Sequence, residues 1–332
     1  MKQINRIKWL YLAGFSFFCV AFILGFFLGS TPLNFNEIWQ FFAGDFTLPG
    51  TRIFAYVRFP RTIASLVCGA ALSVAGAVIQ GVLANRLASP SIIGVNSGAG
   101  LAVTLCTAFG IYGGWRLSLF SFLGAFLAVV LISSGARKWG ASRGTVILIG
   151  VAMNSLFGAI SDMIVTFVPD VGVMSNDFKI GEFSAVTYAK LIPASVVIVA
   201  VIFVLLTLSN ELDVLTLGDN HAKGLGMNTS FMRTMFLLLS ALLAGCAVSV
   251  AGLLSFVGLM VPHVVRRLAG GKSSHLLGLC ALYGSSFVSM CDTLARTLFL
   301  PYEIPVGMIM AFLGAPFFVF ILIRGKGGHK NA

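Results

Sequence analysis

Apolar residues in this chain come in long runs broken by short polar gaps. The runs cover 9–29, 62–83, 93–110, 115–136, 145–167, 191–208, 231–251, a short stretch after 252, 274–298 and 304–323. Most are near the roughly 20 residues that carry a helix across the hydrocarbon layer. The pattern predicts an all-α polytopic membrane protein of about ten transmembrane helices, in one domain over 1–332. The first run is too long for a signal-peptide core and no small-residue cleavage site follows, so it reads as an uncleaved span. Residues 35–42 have the pattern of a short amphipathic surface helix. Gly25 and Gly29 form a GxxxG pair, and Gly69, Ser73, Gly76 and Gln80 share one helical face. That face is a tight helix contact or the wall of a polar path. Gln80 is costly in lipid and must face protein or water, and Asn154 is likewise polar within an apolar run. Pro90 and its glycines predict a non-helical approach to a short third span. Pro262 should break or kink the eighth.

One stretch departs from this rhythm. Residues 210–230, NELDVLTLGDNHAKGLGMNTS, turn polar after an apolar span and before another. Leu212, Leu215 and Leu217 alternate with polar residues, and Gly218 ends the run. Asp219 can cap a second short helix carrying Ala222 and Leu225, which Gly224 and Gly226 close. Two amphipathic helices joined at a glycine suit a docking surface on the membrane. A solvated connector fits the same pattern.

Composition agrees with the spans. Of 332 residues 58% are hydrophobic and 10% charged, against about 25% charged in soluble domains, and the mean hydropathy is +0.97. The net charge of +11 would suggest nucleic acid in a soluble protein. Here most of the basic residues lie in the gaps between spans, so they set membrane orientation instead. With both termini inside, fifteen of the 22 lysines and arginines fall on the inner side and seven on the outer. Arg58, Arg61 and Arg296 are outer exceptions. Asp292 can pair with Arg296 at i,i+4 and Glu303 is near in sequence, whereas Arg58 and Arg61 have no adjacent acid. The six cysteines each stand alone in apolar runs and read as buried structural thiols.

No motif points to catalysis or to a metal. GGKSS at 270–274 lacks the leading glycine of a phosphate loop, because position 266 is Arg266, and no strand precedes it. ATP and its Mg would therefore be bound by a separate subunit. His263 beside Pro262 reads as a packed or interfacial residue. The rival classes are an ion-coupled secondary transporter, which would need inverted repeats, and an intramembrane enzyme, which would need paired polar residues at one depth.

Several stretches resemble one family. GLLSFVGLMVPHVVRRLAGGK at 252–272 is similar to a signature of the FecCD family, the membrane subunits of ABC importers for iron chelates, haem and vitamin B12. LDVLTLGDNHAKGLGMN resembles that family's cytoplasmic coupling segment. NRLASPSIIGVNSGAG, CDTLAR and EIPVGMIMAFLGAPFF resemble further signatures, with Arg86 where proline is usual. FKIGEFSA departs from the family pattern. The resemblance implies a type II ABC importer permease fold in a bacterial inner membrane. It implies a second permease copy or a paralogue, two ATP-binding subunits, an external binding protein and a metal-chelate cargo such as iron–siderophore, haem or cobalamin. Its ATPase-coupling residues would be Leu217, Gly218, Asp219, His221, Ala222, Leu225 and Gly226. Arg58, Arg61 and Arg296 would receive the binding protein's carboxylates. Ala141 and Ser142 match the family's inner gate, and Gln80 and Asn154 are the path candidates.

Overall fold

The computed structural model describes residues 2–138 and 143–326. Their regular structure is helical: α1 (Lys2–Phe27), α2 (Phe35–Ala43), α3 (Pro49–Ile53), a π-turn (Phe54–Arg58), α4 (Phe59–Val82), α5 (Val95–Ala108), α6 (Gly114–Lys138), α7 (Arg143–Phe167), α8 (Pro169–Ile180), α9 (Tyr188–Thr207), α10 (Ser209–Thr216), α11 (Asp219–Gly224), α12 (Thr229–Ala251), α13 (Val257–Ala269), α14 (Ser273–Thr297) and α15 (Val306–Lys326). Among the described residues seven helical stretches are long and apolar enough to cross a membrane: α1, the run from Pro49 to Val82, α6, α7, α9, α12 and α14. α5 and α13 have 14 and 13 residues, or about 20 Å at 1.5 Å each. Both follow non-helical segments, as Pro90 led us to expect for α5. Within lipid such backbone must be covered by protein or water, and most of 88–94 is indeed buried.

α4 is the axis of the fold. Its apolar window is 83% buried, against 22% for α1 and 17% for α7. α14, α12, α13 and α9 pack around it. Small residues make this possible. Gly69 lies against Gly284 of α14, and a Cβ at Gly76 would strike the backbone of Gly258 in α13. Ser73 donates its hydroxyl to the Cys280 carbonyl at 2.6 Å. The face shared by Gly69, Ser73, Gly76 and Gln80 is thus a helix contact.

Two expectations need correction, and one helix adds to the picture. The second span does not start at residue 62. It is one helical run from Pro49 to Val82, so Arg52, Arg58 and Arg61 stand on a helix and not in a loop. Pro60 has no N–H for an α-helical bond, and the π-turn before it widens the backbone enough for the helix to continue. Pro262 does not break its span either. α13 runs through it, and the carbonyl of Gly258, which residue 262 would normally satisfy, accepts from Gln80 Nε2 at 3.1 Å. The segment 169–190 also contains a helix that its sequence did not announce, α8, with Pro169 at its first position. Backbone bonds from Leu253 to Phe178 and from Gly307 to Gly181 tie its end to the chain before α13 and the start of α15. α2 forms as expected, with Asn34 and Glu37 in a capping box.

Candidate functional site

The 210–230 segment folds into the two short helices that its pattern predicts. α10 and α11 meet at Gly218, whose φ of 108° excludes ordinary side chains. Leu212 and Leu215 point into the core, with Leu212 beside Gly81 of α4. Leu217 and Leu225 stand 62% and 68% exposed. His221 and Gly226 are exposed beside them. Ala222 is not part of that surface: it is fully buried, because its face of α11 packs inward.

Asp219 has a different role from the expected cap. Gly218 holds the cap position and Asp219 is the first helical residue, making no capping hydrogen bond. Its carboxylate instead accepts from Arg233 of α12 at 2.7 and 2.8 Å and from Arg143 of α7 at 3.3 Å. Burial works to raise the Asp219 pKa. The hydrogen bond and charge of Arg233, with the charges of Arg143 and Lys223, outweigh it and hold the carboxyl below the ordinary range. Arg143 also donates to the Leu215 carbonyl at 2.9 Å. On α10, Asp213 accepts from the Ser273 amide at the start of α14, at 2.9 Å, where a negative charge suits the helix dipole. The exposed leucines therefore sit on a platform bonded to α7, α12 and α14. Asp213, Arg143 and Arg233 were not among the sequence candidates. Arg233 carried a usable signal, since a cation just inside an apolar span needs a partner.

At the opposite end the three arginines that the charge pattern assigned to the outer side are all buried. Arg61 meets acids distant in sequence: its Nε and Nη2 engage Asp292 at 3.0 Å and its Nη1 engages Glu303 at 2.6 Å. Arg296 pairs with Asp292 at 3.1 Å, the i,i+4 bridge read from the sequence. Arg58 donates to the carbonyls of Phe26, Phe27 and Thr31 at the end of α1. The cluster has three cations and two carboxylates. Glu303 also accepts from Ser30 at 2.8 Å, and its side chain keeps 32% of its surface exposed.

The polar candidates in mid-chain also find partners in the protein. Besides the Gln80 bond to Gly258, Asn154 of α7 donates to the Ser91 carbonyl at 2.9 Å and accepts from Ser97 of α5. Both side chains thus secure the short helices at their breaks. Ala141 and Ser142 lie outside the described residues. All six cysteines are free thiols, five of them buried.

Comparison with known proteins places this architecture. The profile of the FecCD transport family matches residues 17–324. The chain is 36% identical over 335 residues to the ABC transporter permease YvrB of Bacillus subtilis, covering 97% of this chain and 95% of that protein. It is 34% identical over 306 residues to the hemin transport system permease HmuU of Yersinia pestis, covering 90% of each. It is 33% identical over 321 residues to the iron(3+)-hydroxamate import permease FhuG of Bacillus subtilis, covering 92% and 94%. A solved ABC transporter of the metal-chelate type, in an inward-facing conformation, superposes with a TM-score of 0.84 at 28% identity, over 96% of this chain and 99% of that one. With its signature stretches on the short helix α13 and on the α10–α11 platform, this multi-pass membrane chain belongs to the FecCD transport family.

Proposed function

We propose that the chain is the permease subunit of an ATP-driven importer of metal chelates in a bacterial inner membrane. Iron–siderophore is the leading cargo, with haem and cobalamin as the alternatives. The observation that carries this reading is the platform of α10 and α11. It leaves Leu217 and Leu225 uncovered in a polar segment, yet is fastened through Asp219 to α7 and α12. An exposed apolar pair on a firmly held support suits a surface that is pushed by a partner. The chain has no nucleotide-binding motif, so that partner is a separate ATPase, which holds the ATP and Mg. The relatives named as hemin and iron-hydroxamate permeases support the cargo class.

In this reading ten crossings, counting α5, α13 and α15, leave both termini in the cytoplasm. Two permease copies, or one and a paralogue, enclose the path, and two ATPases bind the two platforms. When the ATPase pair closes on ATP, each α11 moves. The Asp219 bridges carry that movement to α7 and α12, and the bundle switches between outward-open and inward-open states. Ala141 and Ser142, just before α7, form the inner gate. An external binding protein docks by its carboxylates near Arg58, Arg61 and Arg296, where charge fixes register and speeds encounter.

Cysteine cross-linking tests the platform. Leu225→Cys should link to a cysteine in the ATPase cleft, with a yield that changes on ATP binding, and a control at buried Ala222 should not link. Equal yields at the two positions, or a Leu225→Cys yield indifferent to nucleotide, would argue against the platform as the coupling surface.

A further inference from the structure

The ends of three helices, on the outer side in the reading above, form a cleft apart from the platform and the arginine cluster. α6 begins there, α9 begins there and α12 ends there. The cavity is about 270 Å³ and is walled by Trp115, Leu119 and Phe122 of α6, Pro193 and Val197 of α9, and Cys246 of α12. Trp115 and Leu119 in its wall keep 57% and 43% of their surface exposed.

The rim of this apolar cleft is cationic. Lys190 is part of its lining. The Lys190 ammonium donates to the Ala185 carbonyl at 3.2 Å and has further N–H groups to offer. Among the described residues no carboxylate lies within ion-pair distance of it. Next to Trp115, the Arg116 guanidinium sits 5.9 Å from the indole centroid. A lysine in the lining of an apolar slot and an indole with a cation at its ring match the chemistry of the membrane–water boundary, where tryptophan lies at headgroup level.

We propose that the α6–α9–α12 cleft is a specific site for an anionic phospholipid of the outer leaflet. One acyl chain fills the cleft between Leu119, Phe122 and Val197, and the phosphate bonds Lys190 with Arg116 beside it. A lipid that merely coats the protein needs neither a recess between helices nor a lysine without an acid. A polar chelate would need groups across the wall, and apart from Lys190 its side chains offer the Trp115 indole N–H, the Ser118 and Ser249 hydroxyls and the Cys246 thiol.

Fluorescence quenching tests the site without ATPase or cargo, so its outcome is separate from that of the transport reading. The chain has four tryptophans; Trp9→Phe, Trp39→Phe and Trp139→Phe leave Trp115 as the reporter. The full-length protein in phosphatidylcholine nanodiscs is titrated with phosphatidylglycerol or phosphatidylcholine brominated on the acyl chain. Phosphatidylglycerol should reach half-quenching at a roughly fivefold lower mole fraction, the gain one lysine gives near an anionic headgroup. Lys190→Gln should erase that preference while phosphatidylcholine still quenches. Ala194→Phe, which fills the cleft, should weaken quenching by both lipids. Equal half-points for both lipids in the parent protein, a preference surviving Lys190→Gln, or quenching unchanged in Ala194→Phe would overturn the proposal.

Discussion

Single residues here act mainly by satisfying groups that the bilayer cannot. Arg61 is almost wholly buried, and two carboxylates meet its guanidinium. Its partners come from 231 and 242 residues away, which is why neighbouring sequence gave no hint of them. Glu303 allows a direct check. Burial pushes its pKa up, but the hydrogen bond and charge of Arg61, the Ser30 hydroxyl and the Arg296 charge hold the carboxyl below the ordinary range. A carboxylate with a depressed folded pKa stabilises the protein fully above its unfolded value, about 4.3. That contribution is lost as pH falls through the folded value. Wild type should therefore unfold at a higher temperature than Glu303→Gln at pH 7, and the gap should close as pH drops below the usual glutamate range. A gap that stays constant through acidification would show that Glu303 stabilises by some other means.

At the scale of elements, the helices that pack with period and small residues were legible in sequence, and the exceptions have identifiable causes. The glycine and serine face of α4 announced a close contact, and the turn at Gly218 was plain from the pattern around it. The continuation of α13 through Pro262 was not legible, because the missing donor is supplied by Gln80 from another helix. The start of the second span at Pro49 was hidden by the π-turn and by arginines that look like loop residues. α8 was hidden because its residues, PDVGVMSNDFKI, carry little periodicity. The role of Asp219 was missed because its partners stand on α7 and α12. The Gln80 account predicts a coupled pair of substitutions. Gln80→Leu leaves a buried carbonyl unsatisfied and should cost about 1–3 kcal/mol. Adding Pro262→Ala restores an N–H for Gly258 and should recover much of that loss, measured as thermal unfolding of both variants in the same detergent. Simple addition of the two single effects would mean that Gln80 does not stand in for the proline.

Across the whole molecule the fold is one helical bundle about α4, with an ionic cluster at one end and a bonded platform at the other. Membrane character, family and platform could all be read from the chain. Which helices the platform holds, and which acids hold the arginines, needed the tertiary structure. The central claim is that ATP, acting through this platform, drives a metal chelate across the membrane. Its most direct measurement is uptake of radioactive iron–siderophore into proteoliposomes containing the permease, its ATPase and its binding protein, with ATP hydrolysis recorded in parallel. Uptake should require ATP inside, persist when ion gradients are collapsed, and fall strongly in Gly218→Val, whose side chain strains the turn at φ 108°, while hydrolysis continues. Uptake that follows an ion gradient without ATP, or full coupling in Gly218→Val, would contradict the account.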